Sequence, residues 1–224
     1  MTPPDPPAAP APPTPRVILI TDPSYSLDHV ARVVEQVAKA LGPAAFMVQL
    51  RDKTSIRPVF LQAARRLRQV TTDTGALLCL NAIRKDGGFV IDVAEQVGAD
   101  ALHVPCNLHM VVTAQTVAKW VSVPTHTDAE ARAAQSSFAQ AVLVSPIFAT
   151  PGKGPPRGLA PLGLARQLRP RVYALGGVTP VKAEVCARAG AHGVAVIRAL
   201  LSAEDPAKVA LELARPFLDP AEGV

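Results

Sequence analysis

The stretch "RVYALGGVTPVKAEVCARAGAHGVAVI", residues 171–197, contains one complete strand–helix–strand unit. Residues 171–177 and 193–197 are short apolar runs, which are typical of buried strands. Between them, Thr179 and Pro180 form a pair that commonly begins a helix, with Thr as the cap and Pro in the first turn. Because strands joined through a helix run parallel, this segment predicts a βα unit with a right-handed crossover.

The same alternation recurs along the chain before and after this segment. Predicted strands cover residues 16–21, 45–51, 76–81, 101–104, 121–124, 140–147, 171–177 and 193–197, and predicted helices cover 26–42, 57–75, 89–98, 113–120, 128–137, 158–168, 179–190 and 203–218. Eight repeated βα units predict a (β/α)₈ TIM barrel, an α/β fold at the short end of its usual size. An open, doubly wound sheet is the alternative.

Composition favours one domain preceded by a tail. Of the 224 residues, 49% are apolar and 4% are aromatic, so the core must consist of Val, Leu, Ile and Ala. We predict a single barrel domain over residues 16–224. Residues 1–15 are rich in Pro and Ala and are predicted to form a disordered tail.

Charge and cysteine spacing argue against several classes of function. The net charge of +5 is scattered, without a basic run interleaved with aromatics, so we predict no nucleic-acid partner. The chain shows neither a secretion leader nor about 18 consecutive apolar residues, so we predict a cytoplasmic protein with no membrane partner. Cys79, Cys106 and Cys186 lie far apart, which is typical of buried thiols rather than of a zinc site or a disulfide framework.

The second predicted strand ends in side chains that are costly to bury. Gln49, Arg51 and Lys53 occupy alternate positions, so an extended strand points all three the same way. Active sites of such barrels lie at the carboxyl ends of the strands, where Lys153 follows the sixth strand. We predict that Arg51, Lys53 and Lys153 form an anion pocket, although three solvated surface cations are the alternative.

A second anion site is predicted where the last two strands end. Gly176 and Gly177 allow a ligand to approach the backbone closely, and a short helix starting near Ile197 would turn free N–H groups toward a phosphate. The alternative is a pair of glycines required only by a tight turn. His126 is the best titratable candidate for proton transfer, and a capping or loop histidine is the alternative. His103, inside an apolar strand, is interpreted as structural.

At these positions the sequence resembles the thiamine phosphate synthase/thiazole tautomerase family over residues 17–217. The resemblance rests on the motifs VQLRDK (48–53), GADALHV (98–104), VPTHT (123–127), VSPIFATPGK (144–153), ALGGVTP (174–180) and GVAVIRAL (193–200), which follow in the family's order. It implies a (β/α)₈ barrel and a transferase of thiamine biosynthesis. Such a synthase joins hydroxymethylpyrimidine pyrophosphate to a thiazole phosphate and releases pyrophosphate, so its partners are phosphorylated small molecules.

The resemblance also implies a role for each matching residue. Gln49 would contact the pyrimidine, and Asn81 would lie beside its ring. The pyrophosphate would be held by Arg51, Lys53 and Lys153, and the catalytic candidates are His126 and Lys153. The thiazole phosphate would be surrounded by Thr150, Gly176, Gly177, Val196 and Ile197.

Several positions depart from the family pattern, above all those for Mg²⁺. Ala82 stands where a metal-binding Asp is expected, and Leu108 stands where the second carboxylate is expected. Three further departures are Pro124 and Arg198, each in place of a Ser, and Gly152 in place of a hydroxyl residue. We assign no metal ligand, so Mg²⁺ is a candidate cofactor whose expected ligands are absent. Asp86 and Asn107 are the nearby oxygen donors that could replace them.

Three functions therefore remain open at the level of sequence. The retained cations favour the synthase. A metal-independent thiazole tautomerase that moves a proton with His126 is the first alternative. A non-catalytic barrel that binds phosphorylated ligands is the second alternative, because the expected carboxylates are missing.

Overall fold

The computed structural model describes residues 14–165 and 169–218, and eight parallel strands close into a barrel. The strands are β1 Val17–Ile20, β2 Phe46–Leu50, β3 Leu77–Asn81, β4 Ala101–His103, β5 Trp120–Thr125, β6 Ala141–Val144, β7 Arg171–Leu175 and β8 Gly193–Val196. Each strand pairs with the next along the chain, and β8 closes the ring on β1. The predicted (β/α)₈ barrel is therefore confirmed, and the open sheet is excluded.

Helices follow the strands around the outside of the barrel. They are α1 Leu27–Leu41, α2 Arg57–Thr74, α3 Gly88–Val97, α4 Leu108–Gln115, α5 Asp128–Ser136, α6 Ala160–Ala165, α7 Pro180–Arg188, α8 Arg198–Leu201 and α9 Pro206–Ala214, which a 3₁₀ turn Arg215–Phe217 extends. The short helix predicted near Ile197 is α8. None of the helices in the described part of the chain combines the length and the hydropathy that a membrane crossing requires.

Helix α1 shows how local sequence produces these elements. The Ser26 hydroxyl caps the helix by accepting a hydrogen bond from the His29 N–H, and Gly42 ends it with a positive φ of 80°. Its buried residues recur at helical spacing, so one apolar stripe faces the strands. Those residues are Val30, Ala31, Val33, Val34, Val37 and Ala38.

One predicted helix was wrong. The spacing of residues 113–120 predicts a helix there, but α4 begins earlier, at Leu108, and Trp120 belongs to β5. The Asn107 side chain starts α4 by accepting from the Met110 N–H at 2.8 Å. Trp120 is buried inside the barrel, where its ring meets Tyr173 edge-on with 6.0 Å between centroids. Packing of this large ring therefore overrides the local helical pattern.

The barrel interior is apolar at one end and polar at the other. Near the start of the strands, Trp120 and Tyr173 fill the interior, and the Tyr173 hydroxyl donates to the Pro15 carbonyl at 2.9 Å. The predicted tail falls chiefly on residues 1–13, which lie outside the described residues. Toward the carboxyl ends, four buried polar residues replace the apolar ones: Gln49, Asn81, His103 and Ser122. The fold thus concentrates polarity at the end where barrel sites lie.

Candidate active site

A cavity of about 900 Å³ opens at the carboxyl ends of the strands. Such a volume accommodates ligands of small-molecule size. Every residue that sequence analysis assigned to the site lines this one cavity: Gln49, Arg51, Lys53, Asn81, His126, Thr150, Lys153, Gly176, Gly177, Val196 and Ile197. The predicted pyrophosphate and phosphate residues, which are distant in sequence, are therefore neighbours in the fold.

Arg51, Lys53 and Lys153 form a cationic cluster on one side of the cavity. The Thr21 hydroxyl accepts from the Arg51 N–H at 2.9 Å and so fixes the chain where β2 ends. Partial burial, followed by the positive charges of Arg51 and Lys153, lowers the pKa of Lys53 below its usual value. Throughout residues 14–165 and 169–218, none of the three cations forms an ion pair with a carboxylate. Their mutual repulsion favours an anion between them.

A hydrogen-bonded chain fixes the orientation of the buried Gln49 amide. The Ile83 N–H donates to Asn81 Oδ1 at 2.9 Å, so Asn81 Nδ2 is the donor that meets Gln49 Oε1, also at 2.9 Å. Gln49 Nε2 is then left as a donor, and no acceptor in the described residues meets it with normal geometry. Its neighbour Cys79 offers only sulfur, a weak acceptor. A buried donor that lines a cavity is suited to an acceptor on a ligand.

His103 was predicted to be a structural residue, but it also lines the cavity. Its Nδ1 lies 2.8 Å from the Ser122 hydroxyl, and only 4% of the residue is exposed. Burial, with smaller contributions from the positive charges of His126 and Arg51, lowers the pKa of His103 to about 3. The ring is therefore neutral at physiological pH. The sequence did offer a signal for this position, because His103 lies at the end of the fourth strand as Asn81 does at the end of the third. The two residues pair in register and so share a face of the sheet.

His126 lies exposed at the cavity, close to the end of β6. Its Nδ1 is 3.1 Å from the Ser145 carbonyl oxygen, and its main-chain N–H donates to the Glu130 carboxylate. The same nitrogen lies 3.3 Å from the Ser145 hydroxyl, so Ser145 holds the ring through two oxygens. These contacts fix the orientation of His126 at the cavity, and its role in proton transfer remains a prediction.

The glycine turn, Gly176 and Gly177, follows β7, and the packing around it requires glycine at both positions. Both residues have positive φ values, 101° and 64°. A Cβ on Gly176 would lie 2.9 Å from Pro146 Cα, and one on Gly177 would lie 2.7 Å from the Ala149 carbonyl oxygen. The loop after β6 thus packs against the turn too closely for a side chain. This packing satisfies the alternative explanation of the pair, and phosphate binding there remains a prediction.

The cavity lining also contains Asp22 and Ser24, which the sequence did not indicate. Ser145 and Arg198 line it too, within motifs of the family resemblance but without a predicted role. Asp22 follows β1 and accepts from the Ser24 N–H at 3.0 Å and the Ser24 hydroxyl at 2.8 Å. The main-chain and then the hydroxyl hydrogen bond from Ser24 lower the pKa of Asp22, and the charges of Arg51 and Arg198 act in the same direction. Applying the strand-end rule to β1 would have identified Asp22.

The residues present do not fit the Mg²⁺ site that the family resemblance implies. Ala82 is buried, and Leu108 is 53% exposed outside the cavity lining. Asp86 points instead to Arg84, whose Nε lies 2.7 Å from its carboxylate, while the Asn107 oxygen caps α4. Among the described residues, no group of three or more His, Cys, Asp and Glu side chains could hold a metal ion.

Arg84 occupies part of this region and joins two loops. Its side chain is 2% exposed and donates to the carbonyls of Asp52 at 3.0 Å and Ser55 at 2.7 Å. The guanidinium carbon lies 4.6 Å from the centroid of the Phe89 ring. Arg84 therefore fastens the loop after β3 to the loop that carries Arg51 and Lys53, a role that the sequence pattern did not indicate.

Comparisons with known proteins agree on the family. A family model described as thiamine monophosphate synthase matches residues 17–200. The thiamine-phosphate synthase of Gloeobacter violaceus is 33% identical over 202 residues, which cover 86% of this chain and 54% of that protein. The thiamine-phosphate synthase of Chloroflexus aurantiacus is 33% identical over 206 residues, which cover 88% of this chain and 90% of that protein. The chain thus spans about half the length of the first relative and nearly all of the second.

Solved structures show the same fold. Thiamine phosphate pyrophosphorylase from Pyrococcus furiosus superposes with a TM-score of 0.74 at 23% identity, covering 92% of this chain and 96% of that chain. At this identity the likeness establishes the barrel alone. The family match, however, covers most of the chain and coincides with relatives at 33% identity. This chain belongs to the thiamine monophosphate synthase family.

Proposed function

We propose that the protein is a thiamine phosphate synthase, which joins hydroxymethylpyrimidine pyrophosphate to a thiazole phosphate and releases pyrophosphate. The observation that carries this proposal is the shared cavity. The cationic cluster, the Gln49 amide and the glycine turn all line it, and Gln49 Nε2 has no acceptor among the described residues. Two phosphorylated substrates need two anion sites that face one reaction space, and this cavity offers candidates for both.

The pyrimidine substrate is proposed to bind along β2 and β3. Gln49 Nε2 donates to a ring nitrogen, and such a ligand atom supplies the acceptor that this donor lacks among the described residues. Asn81 holds Gln49 in the donating orientation and lies beside the ring. The pyrophosphate group lies among Arg51, Lys53 and Lys153, because cationic donors form strong hydrogen bonds to phosphate oxygens.

The thiazole phosphate is proposed to bind at the opposite side, at the ends of β7 and β8. Thr150, Gly176 and Gly177 approach it from two loops, and Val196 and Ile197 line its other side. Arg198 supplies a positive charge next to this site, where the family usually has Ser. With its phosphate bound there, the thiazole ring would point toward the pyrimidine.

The coupling step breaks one bond and forms another without oxidation or reduction. The C–O bond between the pyrimidine methylene and the pyrophosphate breaks, and its electron pair leaves with the pyrophosphate oxygen. The thiazole nitrogen then uses its lone pair to form the new C–N bond, which gives a thiazolium. Lys153 and Arg51 stabilise the negative charge that develops on the leaving group. No proton has to move, so His126 is proposed only to contact substrate in this reaction.

The names of the relatives support the synthase over the tautomerase, and the cationic cluster supports it over a silent binder. The deciding assay mixes purified protein with both substrates and measures thiamine phosphate. We expect product from the native chain, at least tenfold less from Lys153→Met, and an unchanged rate from the matched variant Lys119→Met. Lys119 is exposed and precedes β5, so it lies at the far end of the barrel.

Other outcomes of the same assay would reject the proposal. Isomerisation of the thiazole carboxylate phosphate without coupling would establish the tautomerase. A thiazole phosphate that raises the melting temperature without any turnover would establish a binding protein.

We also propose that the enzyme works in the cytoplasm on small phosphorylated metabolites. Cys79, Cys106 and Cys186 are free thiols, and two of them are buried. Free thiols separated in this way suit a reducing compartment. Expression with a fluorescent fusion followed by fractionation would test the location.

A further inference from the structure

The cavity contains far more positive than negative side-chain charge. Its described lining includes four permanent or near-permanent cations, Arg51, Lys53, Lys153 and Arg198, but a single carboxylate, Asp22. Magnesium is bound in proteins chiefly through carboxylate oxygens and water. The balance of charge in this cavity therefore favours an anion over a divalent cation.

The one carboxylate is already engaged. Asp22 accepts two hydrogen bonds from Ser24 on the same oxygen, at 3.0 Å and 2.8 Å. Arg51 and Arg198 both lie near enough to stabilise its negative charge. A divalent ion at Asp22 would have to approach two guanidinium groups, and that repulsion opposes its binding.

The region expected to hold metal is occupied by other contacts. After Ala82 the chain places Ile83 in the cavity lining, so an aliphatic side chain faces the ligand there. Arg84 holds the carboxylate of Asp86 at the protein surface, where 62% of that side chain is exposed. The buried guanidinium thus supplies a charged anchor that keeps this acid away from the cavity.

The positive charge of the cationic cluster equals the negative charge of a pyrophosphate ester, which a metal would otherwise neutralise. A pyrophosphate ester carries about three negative charges at neutral pH, since its acidic groups ionise below or near pH 6. Three side-chain cations around it bring the local charge close to zero. Arg51 can also meet two oxygens at once through its planar fork.

We propose that this site binds and activates the pyrophosphate group with Arg51, Lys53 and Lys153 alone, without a divalent metal. The inference rests on the proposed function, because it concerns the leaving group of that reaction. As the C–O bond breaks, both electrons pass to the pyrophosphate oxygen, and the three cations stabilise the negative charge that develops there. Pyrophosphate then departs, and the atoms and electrons of the coupling balance as described above.

Titration calorimetry with inorganic pyrophosphate tests the inference without turnover. The native chain is titrated in EDTA and again in Mg²⁺, at matched concentrations of free pyrophosphate. We expect binding in EDTA, with a dissociation constant within tenfold of that in Mg²⁺. Binding that improves more than tenfold with Mg²⁺, or that is absent under both conditions, would overturn the inference.

Three variants of the cluster and one control variant test whether the cluster binds the pyrophosphate. Lys53→Met and Lys153→Met should each weaken pyrophosphate binding in EDTA by about tenfold or more, as expected when a charged hydrogen-bond donor is lost. Lys153→Arg should restore most of the affinity, which shows that the loss does not reflect misfolding. Lys119→Met should bind like the native chain. Unchanged affinity in both Met variants would contradict the assignment.

Turnover in EDTA separates this inference from the proposed function. Metal-free pyrophosphate binding with no thiamine phosphate formed, with or without Mg²⁺, would support metal-free binding by the cluster but reject the synthase and the activation of its leaving group. Thiamine phosphate formed only with Mg²⁺ would support the synthase and reject the inference. Product formed at comparable rates in EDTA and Mg²⁺ would support both.

Discussion

The Asn81 side chain donates a hydrogen bond to Gln49 Oε1 at 2.9 Å inside the mouth of the barrel. Asn81 is itself held by the Ile83 N–H, a group that can only donate. The backbone N–H therefore fixes which end of the Asn81 amide donates, and Asn81 in turn fixes the orientation of the Gln49 amide. Gln49 Nε2 is left as a donor with no protein acceptor among the described residues. In a low-dielectric interior such an unpaired group is costly, and a ligand acceptor removes the cost.

Replacing Gln49 with Glu tests this direction. The carboxylate still accepts from Asn81 but has no donor for the ligand, so we expect kcat/KM for the pyrimidine substrate to fall about 10- to 100-fold. The measurement is steady-state thiamine phosphate formation. The control Gln62→Glu introduces the same change on the exposed face of α2 and should leave the rate unchanged. A Gln49→Glu enzyme of native rate would show that the amide does not donate to substrate.

Arg84 should contribute strongly to stability although it is a charged residue. Arg84→Ala leaves the Asp52 and Ser55 carbonyls without their donor and opens space beside Phe89. We expect a loss of about 2–4 kcal/mol in the free energy of unfolding, measured with urea.

The matched control for Arg84 is Arg188→Ala, which breaks an exposed pair with Glu184. That change should cost less than about 0.5 kcal/mol. Because Arg84 fastens the loop that carries Arg51 and Lys53, its loss should also weaken pyrophosphate binding. Equal stability losses in the two variants would show that Arg84 does not fasten the two loops.

His103 should make the fold sensitive to mild acid. Its pKa in the folded protein, about 3, lies below the ordinary value of 6.5, so the unfolded chain binds the extra proton first. Stability is complete above about pH 6.5 and falls as the pH drops toward 3, by up to about 1.4 kcal/mol per pH unit.

Urea unfolding at pH 7.5 and pH 5 measures this effect, and His103→Asn should show a smaller acid loss. Asp22 and Asp52 have lowered pKa values, so their stabilisation is lost only below their ordinary value of 3.8. The interval between pH 4 and 6.5 therefore isolates the imidazole from these two carboxyls. Identical acid losses in native and variant chains would show that His103 is not the cause.

Gly177→Ala should be destabilising for two reasons. The residue has a φ of 64°, and its new Cβ would lie 2.7 Å from the Ala149 carbonyl oxygen. We expect a loss of about 2 kcal/mol or more in urea unfolding. The loop after β6 carries Lys153, so pyrophosphate affinity should fall as well.

Gly88→Ala provides the comparison for Gly177. Gly88 begins α3, does not have a positive φ, and a Cβ there meets nothing within 4 Å. Alanine should therefore be neutral or stabilising by up to about 1 kcal/mol. A Gly177→Ala protein as stable as Gly88→Ala would show that the loop can shift without cost.

The barrel could be predicted from local sequence patterns alone. Apolar runs and helical spacing repeat eight times, and each pattern depends only on near neighbours, so the strands and most helices could be located. The predicted helix 113–120 is the exception. The interval 113–120 has helical spacing, yet Trp120 lies in β5, because its ring packs against Tyr173, more than 50 residues away.

The positions of the site residues also followed from the sequence. Parallel strands bring their carboxyl ends together, so Gln49, Arg51 and Lys153 could be placed at one rim before any coordinates were known. Their family motifs supplied the chemistry. Their individual roles remain predictions, which the variants above test.

The surroundings of each polar group became known only from the folded barrel. His103 lies in the cavity, Gln49 Nε2 has no acceptor in the described part of the chain, and Asp86 pairs with Arg84 away from the cavity. These facts depend on contacts between segments that are remote in the chain. Burial and hydrogen-bond direction arise only when the barrel closes, so no local pattern in the sequence could have contained them.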